Sequence, residues 1–561
     1  MLTSGFAITA LVCVFVLTVA LLLYYPAKNT RWYVYWWVFV SWFLAFWIIV
    51  LIPFDVYLVT PTQTLTTSAT ASDKDTLRLC WRVVYWTVFV LCWLILPILQ
   101  EYEMAGEYTR WRRLKRAVRR LLWMFFLMAT AGLIFVIYLG FIGELVIAKL
   151  PYILVAFSNC WGLFQTILLL GYGLVAVPRY LWLAPDYRHY LHYLAYKAAV
   201  VSEEKNDFQL QLFTLGKLAN AVDIQVSKSA KTRTFVEDIL VHCLPEDLRY
   251  HKEHATHTER EVQEELGELT IKKLEVLNRL LKQAAFSHHR ACAQWEQGLT
   301  AAFNVMDLID SQKSPDRVVT SALWDRHKKR KRCTRLGQWV WYIYVKPILY
   351  RLLALCLAVA SVIIIAGEST LFLSTPIGLL PLLFQEDHGD WLTQLYCAVP
   401  LAYLVSCCYF ALFRLKLSGF YGLYGQNQTD APCLAWNAAY LARMACPLSL
   451  NFLLFIKVKD AEFFKVMSVI DFVPFMGESF CIWFPLLLVI FCALSLFNVY
   501  PLIMEWLGFP QFIMGRQSNQ SRIETGLALL SSERSKAEAR LEAAGPDYTH
   551  TVGRQAPLLH S

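Results

Sequence analysis

Charge is what this 561-residue chain has least of. Asp, Glu, Lys and Arg make up 17% of it, where a soluble globular domain carries about 25%. With 57% hydrophobic residues there is too little polar surface to face water, which excludes a soluble enzyme and a disordered chain. Paired cysteines are missing too. The 15 Cys contain no C-x-x-C pair, so neither a zinc ribbon nor a disulfide-stapled secreted domain is indicated, and they read as small polarizable packing residues. Also lacking are G-x-x-x-x-G-K-[ST], H-E-x-x-H and G-x-S-x-G. The chain is therefore read as not an enzyme, with no cofactor and no metal. Acid is short relative to base, 43 against 52, for a formal net charge of +9. Such an excess fits nucleic acid or anionic membrane. Because the basic residues flank apolar blocks, the lipid bilayer is the expected partner and nucleic acid is not.

The apolar blocks have membrane-crossing length. Phe6–Tyr25 runs 20 residues without a charge, about 30 Å as a helix, which is the hydrocarbon thickness. No positive charge precedes it, while Lys28 and Arg31 follow, so it reads as a retained span rather than a cleaved signal. Further runs lie near Trp32–Ile52, Val83–Leu99, Leu121–Ile142, Ile153–Val177, Ile348–Leu373, Trp391–Phe413, Leu434–Ile456 and Phe480–Met504. The expectation is an all-α polytopic membrane protein of about nine spans. Orientation follows from Lys and Arg in the short loops: Pro26–Arg31 has two, Glu101–Arg120 has seven, and Arg414 and Lys416 add two. The alternating loops Thr60–Arg78, Gly143–Lys149, Ser374–Asp390 and Lys457–Glu478 have two, one, none and three. The first set is expected in the cytoplasm, placing the N-terminus outside and the C-terminus inside.

The organisation expected is a five-span block over 1–178, a helical cytoplasmic loop over 179–340, a four-span block over 341–510 and a flexible cytoplasmic tail over 511–561. In the loop, Glu259–Ala285 places Val262, Leu266, Leu269, Leu277 and Leu280 on a helical stripe, and its acidic start and basic end suit the helix dipole. Ala199–Val226 is a second helix, and the two are expected to pair as an antiparallel hairpin of coiled-coil type, short of the heptads of a long coiled coil. In the tail, Arg522–Ala543 forms a weakly amphipathic helix.

Ionisable and amide groups inside spans are the sharpest candidates for function, because a charge at mid-membrane costs roughly 3 kcal/mol and so normally faces protein or water. Asp55, Asn159, Gln165, Glu368, Arg443 and Asn451 form this set, with Asn437 beside them. They line a ligand or ion path, or they bond helix to helix. Arg443, near the middle of its span, is expected to meet polar groups on neighbouring spans, with Gln165 the first candidate. Gly171-Tyr172-Gly173 is read as a place of close helix approach rather than a phosphate cradle. His251, His254 and His257 recur every three residues; a solvated surface is the favoured reading over a metal site. The run Lys328, Lys329, Arg330, Lys331 and Arg332 stands just before the sixth span. It reads as attraction to anionic inner-leaflet lipid headgroups, as a topogenic signal, or as a nuclear localisation signal, the last being out of place in a nine-span chain.

Several longer motifs carry a resemblance. Leu51-Ile-Pro-Phe-Asp55, Trp81-Arg-Val-Val-Tyr-Trp86, Leu96-Pro-Ile-Leu-Gln-Glu-Tyr102, Asn159-Cys-Trp-Gly-Leu-Phe164 and Gly171-Tyr-Gly-Leu-Val-Ala-Val-Pro-Arg179 resemble the span ends of the limb-region membrane protein family. Ser361-Val-Ile-Ile-Ile-Ala-Gly-Glu368, Asn427-Gln-Thr-Asp430, Cys446-Pro-Leu-Ser-Leu-Asn-Phe452 and Gly508-Phe-Pro-Gln-Phe512 resemble its limb-region-domain-containing protein two branch. The likeness covers both span blocks; the central loop and tail match poorly. It implies a receptor-like protein or a regulator of membrane receptor signalling or trafficking, with a membrane receptor or a cytoplasmic protein as partner. The family supplies no catalytic residues. A transporter or transporter escort for a small solute is the alternative, and a scaffold acting through the cytoplasmic loop is another. The expected compartment is the plasma membrane, with endosome or lysosome as the alternative.

Overall fold

A helix satisfies its own backbone hydrogen bonds, so apolar segments that meet lipid fold as helices. The computed structural model describes residues 2–59, 71–142, 150–225, 230–243, 271–313, 332–370, 390–415, 421–458, 460–467, 486–499, 502 and 517–543. Among them there is no strand, and a single bridge joins Pro26 to Thr429. Seven helices are long and apolar enough to cross a membrane: Trp32–Val59, Asp75–Met104, Arg110–Tyr138, Cys160–Leu183, Leu336–Ser369, Leu392–Arg414 and Ala431–Phe455. Two shorter apolar helices, Ile8–Tyr24 and Leu486–Leu496, stand where the first and ninth spans are expected.

The chain forms two compact units. The first comprises Met1–Ala105, Trp111–Pro178 and Cys356–Tyr500; the second comprises Gly106–Arg110, Arg179–Leu355 and Pro501–Ser561. In chain order the helices are α1 (Leu2–Tyr24), α2 (Trp32–Val59), α3 (Ala71–Val90), α4 (Leu96–Met104), α5 (Arg110–Ile142), α6 (Leu150–Leu183), α7 (Tyr187–Gln225), α8 (Ala230–Cys243) and α9 (Ile271–Lys313). They continue as α10 (Arg332–Val340), α11 (Lys346–Ser369), α12 (Asp390–Leu415), α13 (Ala431–Phe455), α14 (Glu462–Met467), α15 (Leu486–Leu496) and α16 (Gln517–Ala543).

The first unit is built around α13, which is buried along almost its whole length. Lipid tails are as apolar as Leu, so spans associate through close packing rather than through escape from water. Ala435, Ala438, Ala439, Ala442 and Ala445 recur at three- and four-residue steps on α13 and are buried, so α2 and α4 approach it closely. Gly173 serves the same end on α6: a Cβ there would lie 2.2 Å from the Cys407 carbonyl oxygen of α12. Close helix approach is thus what this glycine provides. Asp430 caps α13, its Oδ1 accepting from Cys433 N at 3.2 Å, and Pro432 stands in the first turn.

Among the described residues two one-turn π-helical segments interrupt the spans, Leu91–Ile95 between α3 and α4 and Trp341–Val345 between α10 and α11. In each, the residue after the turn donates its N–H to the first residue of the turn: Leu96 to Leu91 and Lys346 to Trp341. The next residue is Pro97 in one case and Pro347 in the other. Proline has no N–H to give, so the carbonyls of Cys92 and Tyr342 lose their partner within the helix.

In the second unit α7 and α9 run antiparallel. Leu212, Ala219 and Val222 pack with Leu274, Leu277, Leu281 and Ala284 at one end. Leu194, Ala195 and Ala198 pack with Trp295, Leu299 and Ala302 at the other. The hairpin forms as the stripe implies, with one correction: Leu280 is exposed and Leu281 is buried, because α9 turns Leu274, Leu277, Leu281 and Ala284 toward α7. Val262, Leu266 and Leu269 lie outside the described residues. Residues 517–543, inside the segment read as a flexible tail, form α16. Its Leu530 is fully buried with Leu194 and Phe303, and Arg534 pairs with Asp307 at 2.9 Å.

Candidate functional site in the helical bundle

The candidate polar residues of the first unit fall into two end groups and a middle. At one end the turn between α1 and α2 meets the segment before α13. Ala27 N donates to Thr429 O at 2.8 Å, Thr429 N to Tyr25 O at 3.0 Å and Asn427 N to Tyr24 O at 2.8 Å. The tail of α4 joins them: Arg31 Nη1 donates to Tyr33 Oη at 3.1 Å, Tyr33 Oη donates to Glu103 Oε1, and Tyr421 Oη meets Met104 Sδ at 3.2 Å. Three loop regions that the Lys and Arg counts put on one side thus gather at one end.

At the other end lies Asp55, fully buried on α2. Its Oδ2 accepts from Trp81 Nε1 at 3.0 Å and from Phe463 N at 2.7 Å, and its Oδ1 accepts from Glu462 N at 3.0 Å. Three donors satisfy the carboxylate, so it ties α2, α3 and α14 together and has little left to offer a ligand. Glu462 extends the lock, accepting from Arg78 Nε at 2.8 Å and from Lys465 Nζ at 3.0 Å. Burial alone would raise its carboxyl, but the two cations outweigh burial and hold it below the usual carboxylate range. The ring of Phe463 meets Trp81 edge-on at 4.7 Å.

In the middle stands Arg443. Its Nη2 donates to Cys92 O at 3.3 Å, the carbonyl that Pro97 leaves without an in-helix donor. Its guanidinium lies over the rings of Trp93 at 4.6 Å and Tyr440 at 5.3 Å, an arrangement favourable to the cation. Gln165 is not its partner; Gln165 Oε1 is buried without a hydrogen bond. The carbonyl freed at the π-turn is the acceptor Arg443 reaches instead. The second π-turn repeats the arrangement in the second unit, where Tyr187 Oη donates to Tyr342 O at 2.6 Å.

Glu368, in the last turn of α11, and Asn451 of α13 meet directly. Asn451 Nδ2 donates to Glu368 Oε1 at 2.7 Å. Both side chains are buried, at 0% and 1% exposure, and Glu368 Oε2 and Asn451 Oδ1 have no partner. Gly367 allows the approach, since a Cβ there would lie 2.4 Å from the Phe455 ring. Asn437 bonds locally to Cys433 O at 2.7 Å. The side chains of Asn159 and Arg332, and residues 328–331 and 251–257, lie outside the described residues. Among the described residues no three His, Cys, Asp or Glu side chains gather as metal ligands.

Asp55, Glu368, Arg443 and Asn451 are thus legible in the sequence as site candidates, while Trp81, Arg78, Glu462 and the Cys92 carbonyl emerge only from the packing. Pro97 was the one readable signal, because a proline inside a span frees a carbonyl.

A sequence profile for the family described as LMBR1-like membrane protein matches residues 3–500. The chain is 27% identical to LMBR1 domain-containing protein 2 homolog A of Dictyostelium discoideum over 91% of its length and 76% of the relative. It is 27% identical to the G-protein coupled receptor-associated protein LMBRD2B of Danio rerio, over 89% of its length and 79% of the relative. To the G-protein coupled receptor-associated protein LMBRD2 of Homo sapiens it is 26% identical, over 82% of its length and 69% of the relative. No solved structure matches the chain.

Proposed function

The chain belongs to the LMBR1-like membrane protein family, and from that premise we propose that it is a non-catalytic multi-pass membrane protein that associates with a G-protein-coupled receptor and regulates its signalling or trafficking. The observation that carries the reading is the likeness, over more than four fifths of the chain, to relatives named as G-protein coupled receptor-associated proteins. The bundle supports it. Asp55 and Arg443, two of the three charges read as candidates for a solute path, are engaged in holding helices together. In this reading residues 179–340 and the tail lie in the cytoplasm, where the α7–α9 hairpin with α16 serves as a scaffold. The N-terminus is outside, the membrane is the plasma membrane, and residues 328–332 sit against anionic headgroups.

The test is proximity labelling in intact cells, with the labelling enzyme fused to the C-terminus and the compartment imaged in parallel. G-protein-coupled receptors should be enriched over an unrelated multi-pass control in the same membrane. Receptor labelling no greater than the control's overturns the proposal.

A further inference from the structure

We propose that Glu368 and Asn451 form a proton-binding site inside the bundle, with one proton held between Glu368 Oε2 and Asn451 Oδ1. The pair makes one hydrogen bond, Asn451 Nδ2 to Glu368 Oε1 at 2.7 Å. That bond leaves one oxygen over on each side chain, and both oxygens are buried without a partner. As carboxylate and amide they are two acceptors, and acceptors cannot bond each other. Asp55, equally buried, is by contrast met in full and accepts three N–H bonds. A proton on Glu368 Oε2 turns that atom into a donor, and the side chain already bonded to Glu368 carries the amide oxygen that lacks one. The two side chains then close a carboxylic acid–carboxamide pair with two parallel hydrogen bonds and no orphan.

The surroundings favour a proton over a metal cation. Hard cations take six or more oxygen ligands, and among the described residues no metal-ligand group forms. The titratable side chain beside Glu368 among those residues is the thiol of Cys492 on α15. Arg443 lies eight residues back along α13, about 12 Å, and is spent on Cys92 O and two rings. The site joins the last turn of α11 to α13, which Gly367 presses against Phe455. Proton occupancy therefore adds a second hydrogen bond to the one that already joins α11 to the core helix of the bundle. The proposal rests on these contacts alone and does not depend on which receptor the protein meets.

Glu368→Gln is the decisive variant, because glutamine reproduces the protonated pair: its amide N–H meets Asn451 Oδ1 and its oxygen accepts from Asn451 Nδ2. The full-length protein in lipid nanodiscs is compared with Glu368→Gln, Glu368→Leu and Asn451→Leu. Infrared difference spectra should show a protonated carboxyl band in wild type that shifts in deuterated water, vanishes in Glu368→Gln and moves in Asn451→Leu. A proton bound by the folded state and released on unfolding stabilises at low pH and is lost as pH rises. The wild-type melting temperature should therefore fall toward alkaline pH relative to Glu368→Gln, which lacks this titration, and Glu368→Leu should melt lower than both at acid and neutral pH. A carboxylate band for Glu368 at neutral pH overturns the proposal. So does Glu368→Gln melting as low as Glu368→Leu, or a wild-type melting temperature that rises with added sodium while that of Glu368→Gln does not.

Discussion

At the scale of residues, the bundle places charges where backbone chemistry has made room for them. Pro97 deprives Cys92 O of a donor, and Arg443 supplies one from another helix while resting on Trp93 and Tyr440. Positions 97 and 443, which share no bond, should therefore be coupled through that carbonyl. Arg443→Met should destabilise the solubilised protein by about 1–3 kcal/mol, since it leaves a buried carbonyl unpaired. Arg443→Lys should recover part of that, because an ammonium lacks the planar fork. In a Pro97→Ala background residue 97 regains an N–H, so Arg443→Met should cost about 1 kcal/mol less than in wild type. Thermal melts of wild type, Arg443→Met, Pro97→Ala and the double variant check this, and strict additivity would refute the shared carbonyl. Glu462 gives a pH prediction. Its carboxyl is held below the usual range by Arg78 and Lys465 against the effect of burial, so its contribution is present above the ordinary carboxylate range. It is lost as pH falls through the depressed value. Glu462→Gln should therefore lower stability at neutral pH and melt like wild type once the acid limb is passed, as read from melting temperatures between pH 7 and pH 3.

At the scale of elements, the same device recurs. The π-turns 91–95 and 341–345 both precede a proline by one residue, and both freed carbonyls are taken by a side chain from elsewhere, Arg443 in one case and Tyr187 in the other. The helix α16 depends on a different contact. Arg534 pairs with Asp307 at 2.9 Å, with Asp310 at 3.4 Å and with Glu538 at 3.2 Å. Arg534→Met should loosen α16 by about 1–2 kcal/mol, because Asp307 is buried. Hydrogen exchange should quicken across 517–543 and stay unchanged across 431–455; equal protection in both segments would show that the apolar contacts of Leu530 suffice. What was legible in the sequence follows from these contrasts. Long apolar runs and the antiparallel hairpin were readable because each is a local periodic pattern. The packing of α16 was not, because its composition is polar and its buried face is made by Ala195 and Phe303 of distant segments. Asp55 was legible as a buried charge, but its partners Glu462 and Phe463 lie more than 400 residues away and leave no local trace.

At the scale of the whole molecule, the bundle makes its own statement about sidedness. The turn at Pro26, the end of α4 and the segment 421–430 meet at one end of the first unit, while Asp55, Trp81 and Glu462 meet at the other. Loops that share an end share a side of the membrane, so one orientation experiment decides all of them. The Lys and Arg counts put the Pro26 end in the cytoplasm. Asn427, in a left-handed turn at that end with φ of 61°, opens the sequon Asn427-Gln-Thr429, and Asn519-Gln-Ser521 is a second. Neither should carry glycan, since acceptors are modified only on the luminal side. Leu65→Asn, which completes a sequon with Thr67 in the stretch that follows α2 in sequence, should be modified instead. The measurement is electrophoretic mobility before and after glycosidase for wild type, Asn427→Gln and Leu65→Asn. The arrangement predicts a shift in Leu65→Asn alone. A wild-type shift that disappears in Asn427→Gln, together with an unmodified Leu65→Asn, would turn the bundle over and carry the 26–31, 101–104 and 421–430 segments to the outside together, because their shared hydrogen bonds do not let them separate.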